Sequence, residues 1–277
     1  MLILTLSTIP PRFADLYGAL ERIKQQTAQP DRIIVYVPKT YRRFPDYDGA
    51  LPRVPEGVEI RQPNTDLGPA SKILHAVAEF KGQDVDILFC DDDVVYPKTW
   101  IAAFVKARKH QTKAAIAVLG FEASKLGPAT MKRKHLPRAL NHWRITDIEF
   151  QTKVLWYEFR TKFFARPTLR PSRRMYLKGG YQDIFEGVGG VLTRPEHFDE
   201  TAYDIPDVMW TVDDVWLSGM LARNDVPIWA LPHRYVQVPS KTAGISALAE
   251  SVIDGADRHQ ANKICFDYLR ETYGIWP

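Results

Sequence analysis

Val85-Asp86-Ile87-Leu88-Phe89-Cys90-Asp91-Asp92-Asp93 is the stretch on which the reading of this chain turns. Five of its first six residues are apolar, too few for a helix stripe and without the polar alternation of a half-exposed strand. A strand apolar on both sides is one covered on both faces, as in a parallel sheet. This one closes on three consecutive carboxylates.

The same pattern repeats outward from it. Leu2-Ile3-Leu4-Thr5-Leu6 is a run of strand formers that ends at Ser7-Thr8-Ile9-Pro10-Pro11-Arg12, where paired prolines force a loop. Residues 13–25 place Phe13, Leu16, Leu20 and Ile23 at helical spacing, and Ile33 to Val37 forms a second apolar run. A third, Val58-Glu59-Ile60, leads into the turn-rich Asn64 to Lys72, which opens a helix reaching about residue 80. Beyond the aspartates, a helix follows Pro97 with Trp100, Ile101 and Phe104 on its inner face, and then a strand spans Ala114 to Leu119. Strands alternating with helices predict a mainly parallel sheet with helices on both faces. Ligands of such sheets bind outside the carboxyl ends of the strands, where Thr8, Asp66 and Asp91 to Asp93 fall.

Residues 121–180 break this rhythm with weak periodicity, many basic residues and Pro128, Pro137, Pro167 and Pro171, and read as an insertion or lid. Order returns at Gly187-Val188-Gly189-Gly190-Val191-Leu192, continues through a helical stretch at 212–222, and ends in a strand at Pro227 to Leu231. At 277 residues and 45% hydrophobic the chain has enough apolar material for a globular core, so disorder is not expected. MLILTLSTIP lacks a basic leader and a small-residue cleavage site and reads as a buried first strand. No run approaches the ~18 apolar residues of a membrane span. The two cysteines, Cys90 and Cys265, have no CxxC spacing, which predicts neither a disulfide framework nor a thiolate zinc site and fits a cytoplasmic protein.

The net charge of +4 is modest but unevenly placed, with basic residues gathered in 132–138 and 160–178 among phenylalanines and tyrosines. Such a face suits phosphorylated donors, anionic acceptors or anionic headgroups, and a solvated basic surface accounts for it equally well. Residues 153–178 accordingly read either as a peripheral membrane contact or as a lid over the site. Nucleic acid is not an expected partner.

Three adjacent carboxylates at the end of a buried strand repel one another and persist where a cation neutralises them. Oxygen-only ligands point to magnesium or manganese, which keep positions open for substrate phosphates. The competing reading is a helix cap or a solvated loop. Asp213-Asp214 is a second acidic pair, suited to general-base work or to capping the helix it opens. Lys72 sits at a loop-to-helix turn where a lysine reaches a phosphate or points to solvent. Glu186-Gly187-Val188-Gly189-Gly190 allows a backbone to approach a ligand, or simply a tight strand entry. Trp210 and Trp216 suit sugar stacking or the core.

The buried strand with Asp91-Asp92-Asp93 in an N-terminal βαβ half resembles the DXD motif of GT-A glycosyltransferases, and Asp213-Asp214-Val215 resembles their acidic acceptor-side motif. The order of DXD, Gly-Gly loop and second acidic pair carries the resemblance, which spans most of the chain except 121–180. It is to family 2-like enzymes and, in Asp-Asp-Asp and Asp-Asp-Val, to β-1,3-galactosyl and fringe-type transferases. The resemblance implies a GT-A, Rossmann-like single α/β domain over 1–277, with a nucleotide-sugar donor half at 1–120, a basic insertion at 121–180 and an acceptor half at 181–277. It implies Asp93 as the main metal ligand, with Asp91 and His233 completing a Mn2+ or Mg2+ site, and Asp91 and Asp92 near the ribose. Thr8, Arg12, Asp66 and Lys72 fall at donor positions, and Glu186, Gly189 and Gly190 fall between donor and acceptor. Asp214 would be the general base, with Asp213 as its substitute. The implied reaction moves a hexose or N-acetylhexosamine from a UDP-sugar to a hydroxyl of a glycan or lipid-linked glycan, with inversion. The alternatives are a nucleotidyltransferase, against which the glycine-free Ser7 to Arg12 loop argues, and a non-catalytic nucleotide- or glycan-binding module.

Overall fold

The computed structural model describes residues 1–127, 135–164, 171–236 and 258–276. Its frame is an eight-stranded sheet. In chain order the strands are β1 (Leu2–Ser7), β2 (Arg32–Tyr36), β3 (Val58–Arg61), β4 (Asp86–Phe89), β5 (Ala115–Phe121), β6 (Leu140–Asn141), β7 (Ser172–Arg174), β8 (Tyr176–Lys178), β9 (Gly180–Gln182), β10 (Ile184–Thr193), β11 (Ile228–Ala230) and β12 (Arg234–Val236). The helices are α1 (Phe13–Lys24), α2 (Ser71–Glu79), α3 (Trp100–Arg108), α4 (Ile148–Phe164), α5 (Asp213–Arg223) and α6 (Arg258–Tyr273).

The large sheet runs β3-β2-β1-β4-β10-β5-β11-β9. Pairing is parallel from β3 through β4 and again between β5 and β11, while β10 runs against both of its neighbours and β9 against β11. The sheet is therefore mainly parallel, as the alternation of strands and helices predicts. Both faces are covered, which explains the continuous apolar runs. On one face Ile3, Ile34, Ile87 and Phe89 pack with α2, α5 and α6; on the other Leu4, Leu6, Leu88 and Val118 pack with α1 and α3. The α1 stripe predicted from spacing is the buried one, Leu16, Leu20 and Ile23 included.

One strand departs from simple winding. β10, whose sequence enters after the basic insertion, slots between β4 and β5, so the N-terminal and C-terminal halves share a single sheet. Its pairing with β5 shifts register between Glu186 and Val191, around Gly190 at φ +83°. A side chain there would meet the left-handed backbone penalty and a Cβ 2.3 Å from the Trp100 ring. The insertion is not structureless: it carries α4 and short strands, of which β7 pairs with β12 and β6 with β8. Of the basic stretches, 132–134 and 165–170 lie outside the described residues. No helix among the described residues is long and apolar enough to cross a membrane.

Candidate active site

β1 and β4 are parallel neighbours, so the loops leaving their carboxyl ends lie side by side. Ser7 to Arg12 and Asp91 to Asp93 are therefore brought together although some eighty positions separate them in the chain. The Thr8 hydroxyl donates to Asp92 Oδ2 at 2.6 Å, and the Arg12 guanidinium reaches Asp92 Oδ1 at 2.8 Å and Asp93 Oδ2 at 3.0 Å. From the other side, the first turn of α2 delivers Lys72, whose Nζ lies 2.7 Å from Asp91 Oδ1 and 3.0 Å from Asp213 Oδ2. Gly187 donates its N–H to Asp214 Oδ1 at 2.9 Å. Residues from β1, α2, β4, β10 and α5 thus converge at the carboxyl edge of the sheet.

Lys72 is neither an exposed helix lysine nor a group pointing freely at solvent. It is buried, and its backbone carbonyl accepts the Thr5 hydroxyl at 2.6 Å. Burial works against its ammonium, yet Asp213, Asp91 and Asp214 together hold its pKa well above the usual lysine value. Asp213 Oδ2 depends on this cation, since it is buried, has no hydrogen bond among the described residues, and lies 3.0 Å from Lys72 Nζ. The two members of the second acidic pair therefore separate. Asp213 is buried in the ion pair, while Asp214 is the more exposed of the two.

The site carries five carboxylates, Asp91 to Asp93, Asp213 and Asp214, against Lys72 and Arg12. Burial pushes the Asp93 carboxyl up to about 6, and the charge of Asp91 adds to the effect despite Arg12. Burial also raises Asp92, which Arg12 and Thr8 only partly offset. Asp92 is the most enclosed of the three: its side chain is 6% exposed, against 28% for Asp91 and 15% for Asp93. Asp91 and Asp93 present the accessible oxygens.

The remaining expected residues take other places. Asp66 closes a turn by accepting the N–H groups of Arg42 at 2.9 Å and Gly68 at 2.8 Å, which fixes the loop entering α2. His233 is occupied by the Arg234 carbonyl at Nδ1, 2.8 Å, and by the Thr99 hydroxyl at Nε2, 3.2 Å, and burial lowers its pKa. Among the described residues no group of three His, Cys, Asp or Glu is gathered to hold a metal, so the set Asp91, Asp93 and His233 is not assembled. Gly189 and Gly190 make room for protein, not for a ligand: a Cβ on Gly189 would lie 3.0 Å from Leu119, and Gly190 abuts Trp100. The glycine beside the carboxylates is Gly187, where a Cβ would stand 2.8 Å from Asp214 Oδ1 and 2.9 Å from Lys72 Nζ. Glu186, half-buried, lies close enough to Tyr176 to raise that phenol. Trp216 is fully buried and donates to Ala202, and Trp210 is buried over Gly68, so both belong to the packing.

Three aromatic residues that spacing does not single out for the site hold it together. The Tyr96 hydroxyl accepts the Asp91 N–H at 3.1 Å and donates to Val188 O at 3.2 Å. Its ring stacks on Trp100 at 4.1 Å, and the Trp100 indole donates to Gly189 O at 2.8 Å. Together they tie the acidic loop to β10. Tyr41 does the same for the β1 loop by donating to Thr8 O at 2.8 Å. Beside the cluster, a cavity of about 700 Å³ lined by Phe13, Tyr17, Arg22, Leu51 and Arg53 reaches Asp92.

No protein-family model matches the chain, and no curated protein matches it significantly. Among solved structures, S. aureus TarS 1–349 in complex with UDP aligns with 84% of this chain at 12% identity and a TM-score of 0.40, and the chain spans 59% of that structure's length. A second structure of S. aureus TarS 1–349 aligns with 98% of this chain and 72% of its own, at 12% identity and a TM-score of 0.44. A structure of 4-diphosphocytidyl-2C-methyl-D-erythritol synthase aligns with 82% of this chain and 85% of its own, at 11% identity and a TM-score of 0.39. Likenesses this distant carry no argument about what the chain does.

Proposed function

We propose that this protein is a GT-A-type glycosyltransferase that moves a hexose or N-acetylhexosamine from a UDP-sugar to a hydroxyl of a glycan or lipid-linked glycan, with inversion at the anomeric carbon. One observation carries the reading: the strand-end carboxylates Asp91 and Asp93 and the helix-opening Asp214 meet at one ligand-binding edge, joined through Lys72. A leaving-group site and a base within the electrostatic reach of one lysine suit a displacement in which a hydroxyl attacks as a diphosphate departs. The adjoining cavity, which meets the acidic loop at Asp92, has the volume expected of a small-molecule pocket.

In this reading Asp91 and Asp93 fit a hard divalent cation, Mn2+ or Mg2+, by donor type and by charge. Their oxygens are the accessible ones, and the Asp93 carboxyl is raised first by burial and then by the charge of Asp91, which Arg12 only partly offsets. A cation of this kind is commonly held by one or two carboxylates with phosphate oxygens completing its shell, so a three-residue protein cage is not required. When bound, it would stabilise charge developing on the diphosphate. His233 is left out of the proposed ligand set, since joining it would require Nε2 to give up the Thr99 hydroxyl. Asp92 orients the β1 loop through Thr8 and Arg12. Lys72 holds Asp91 and Asp213 in place and adds positive charge beside the diphosphate. Asp214, held by the Gly187 N–H, takes the proton from the acceptor hydroxyl, and Asp213 is too buried to replace it.

The test is product analysis with a panel of UDP-sugars and simple glycan acceptors. UDP release with an inverted product, lost in Asp214→Asn while donor binding persists, supports the proposal. Release of pyrophosphate from a nucleoside triphosphate in the presence of a sugar phosphate would replace it with the nucleotidyltransferase reading.

A further inference from the structure

α4 carries apolar residues on two sides, one packed on the body of the protein and the other exposed. At its N-terminal end Asp147 Oδ1 accepts the Phe150 N–H at 2.9 Å, and the buried Phe150 ring lies under the guanidinium groups of Arg144 and Arg173 at 5.6 and 5.7 Å. Beyond that anchor Val154, Tyr157 and Arg160 are half-buried, and the other side of the helix is exposed. Ile148, Leu155, Trp156, Phe159 and Phe163 recur at the spacing of one helical stripe, and they are 77, 72, 61, 43 and 66% exposed. Trp156, Phe159 and Phe163 form a ladder of ring contacts at 5.8 and 4.9 Å. Just before the helix, Trp143 is 71% and Ile145 87% exposed. Contiguous apolar surface of this extent marks an interaction site.

Charge identifies the occupant. In sequence, residues 132–178 hold thirteen Lys and Arg against three Asp and Glu, although the whole chain is only +4; eight of the thirteen lie among the described residues. Of the three acids, Glu149 is paired with Lys153 and Arg234. Arg160 and Lys162 flank the stripe on its two sides by helical spacing. An exposed helix with Trp, Phe and Leu on its outer face and basic flanks has the composition of one that lies in a bilayer interface. The stripe's side chains are 43 to 77% exposed, an arrangement suited to entering a deformable lipid surface.

We propose that the exposed stripe of α4 docks this protein on an anionic lipid bilayer. The surface stands apart from the transferase reading. In terms of that reading, the docked face is rooted near the acidic loop, since Arg234 pairs with Glu149 of α4 and the neighbouring His233 contacts Thr99 just after that loop.

The test is flotation of the full chain, without nucleotide, with vesicles of phosphatidylcholine alone or with about one third phosphatidylglycerol. The expected result is binding to the anionic vesicles with a blue-shifted tryptophan emission, weakened roughly tenfold or more by Leu155→Ser/Phe163→Ser and by Arg160→Glu/Lys162→Glu. These residues are on the surface, and unchanged circular dichroism verifies that the variants fold. Failure to bind anionic vesicles, or equal binding by the Leu155→Ser/Phe163→Ser variant, overturns the proposal. A dimer that this variant dissociates, with no vesicle binding, assigns the stripe to a second copy instead.

Discussion

Replacing Asp93 with asparagine should stabilise the metal-free protein while abolishing its chemistry. The Asp93 carboxyl is raised from 3.8 to about 6 by burial and by the nearby charge of Asp91, so its ionised form is disfavoured in the folded state. At about 1.4 kcal/mol per pKa unit, a shift of roughly two units places a penalty of about 3 kcal/mol on the folded protein at neutral pH. Asparagine removes the charge, keeps the shape, and leaves Arg12 its other partner, Asp92. The sign follows from proton linkage. Above pH 6 the carboxylate is ionised in both states and the penalty is complete; as the pH falls toward 4 the folded protein takes up the proton first, and the penalty fades. Asp93→Asn should therefore be more stable than wild type by about 2–3 kcal/mol at pH 7.5, roughly 5 °C in Tm, and indistinguishable from it near pH 4. Chemical denaturation in chelator at both pH values measures this. A variant less stable than wild type at pH 7.5, or a difference independent of pH, refutes the charge balance described for the site.

Lys72→Met should cost about 3–5 kcal/mol in a urea melt, because it leaves Asp213 buried without its cation, and Asp213→Asn in the same chain should recover part of the loss. His233→Ala should leave Mn2+ affinity within twofold of wild type by calorimetry, whereas Asp93→Ala should abolish it; a loss on His233→Ala would return the histidine to the ligand set. Gly190→Ala should destabilise by roughly 3 kcal/mol or more, through its positive φ and the contact with Trp100. Gly82→Ala, at φ +78° with nothing within 4 Å, should cost about 1 kcal/mol, so thermal melts of the two separate strain from clash.

The parallel core was legible because each strand is covered twice, which erases polar alternation and leaves runs such as 85–90 that only a buried strand explains. The acidic clusters were legible as chemistry because like charges at a strand end need a reason. Their partners were not. Arg12 and Lys72 reach the aspartates through strand order and helix placement, which local pattern does not encode, and Lys72 reads locally like any first-turn lysine. The position of β10 was hidden for a related reason: its glycines mark close packing against Leu119 and Trp100, and glycine carries no apolar signal. In α4, apolar residues on two opposite faces cancel the single-stripe pattern by which an amphipathic helix is recognised, and α6 was not picked out although Cys265, Phe266 and Leu269 are fully buried. Tyr96 and Trp100 sit four positions apart, a spacing that signals core, and their hydrogen bonds to the site appear only in three dimensions.

Calorimetric titration of UDP-sugars into the protein, with and without Mn2+, followed by UDP release assays on the same samples, tests the central claim most directly. The expected result is that one UDP-sugar binds in a metal-dependent manner and releases UDP, and that Asp93→Ala loses both. Binding of no nucleotide-sugar, with metal present and the protein folded, would contradict it.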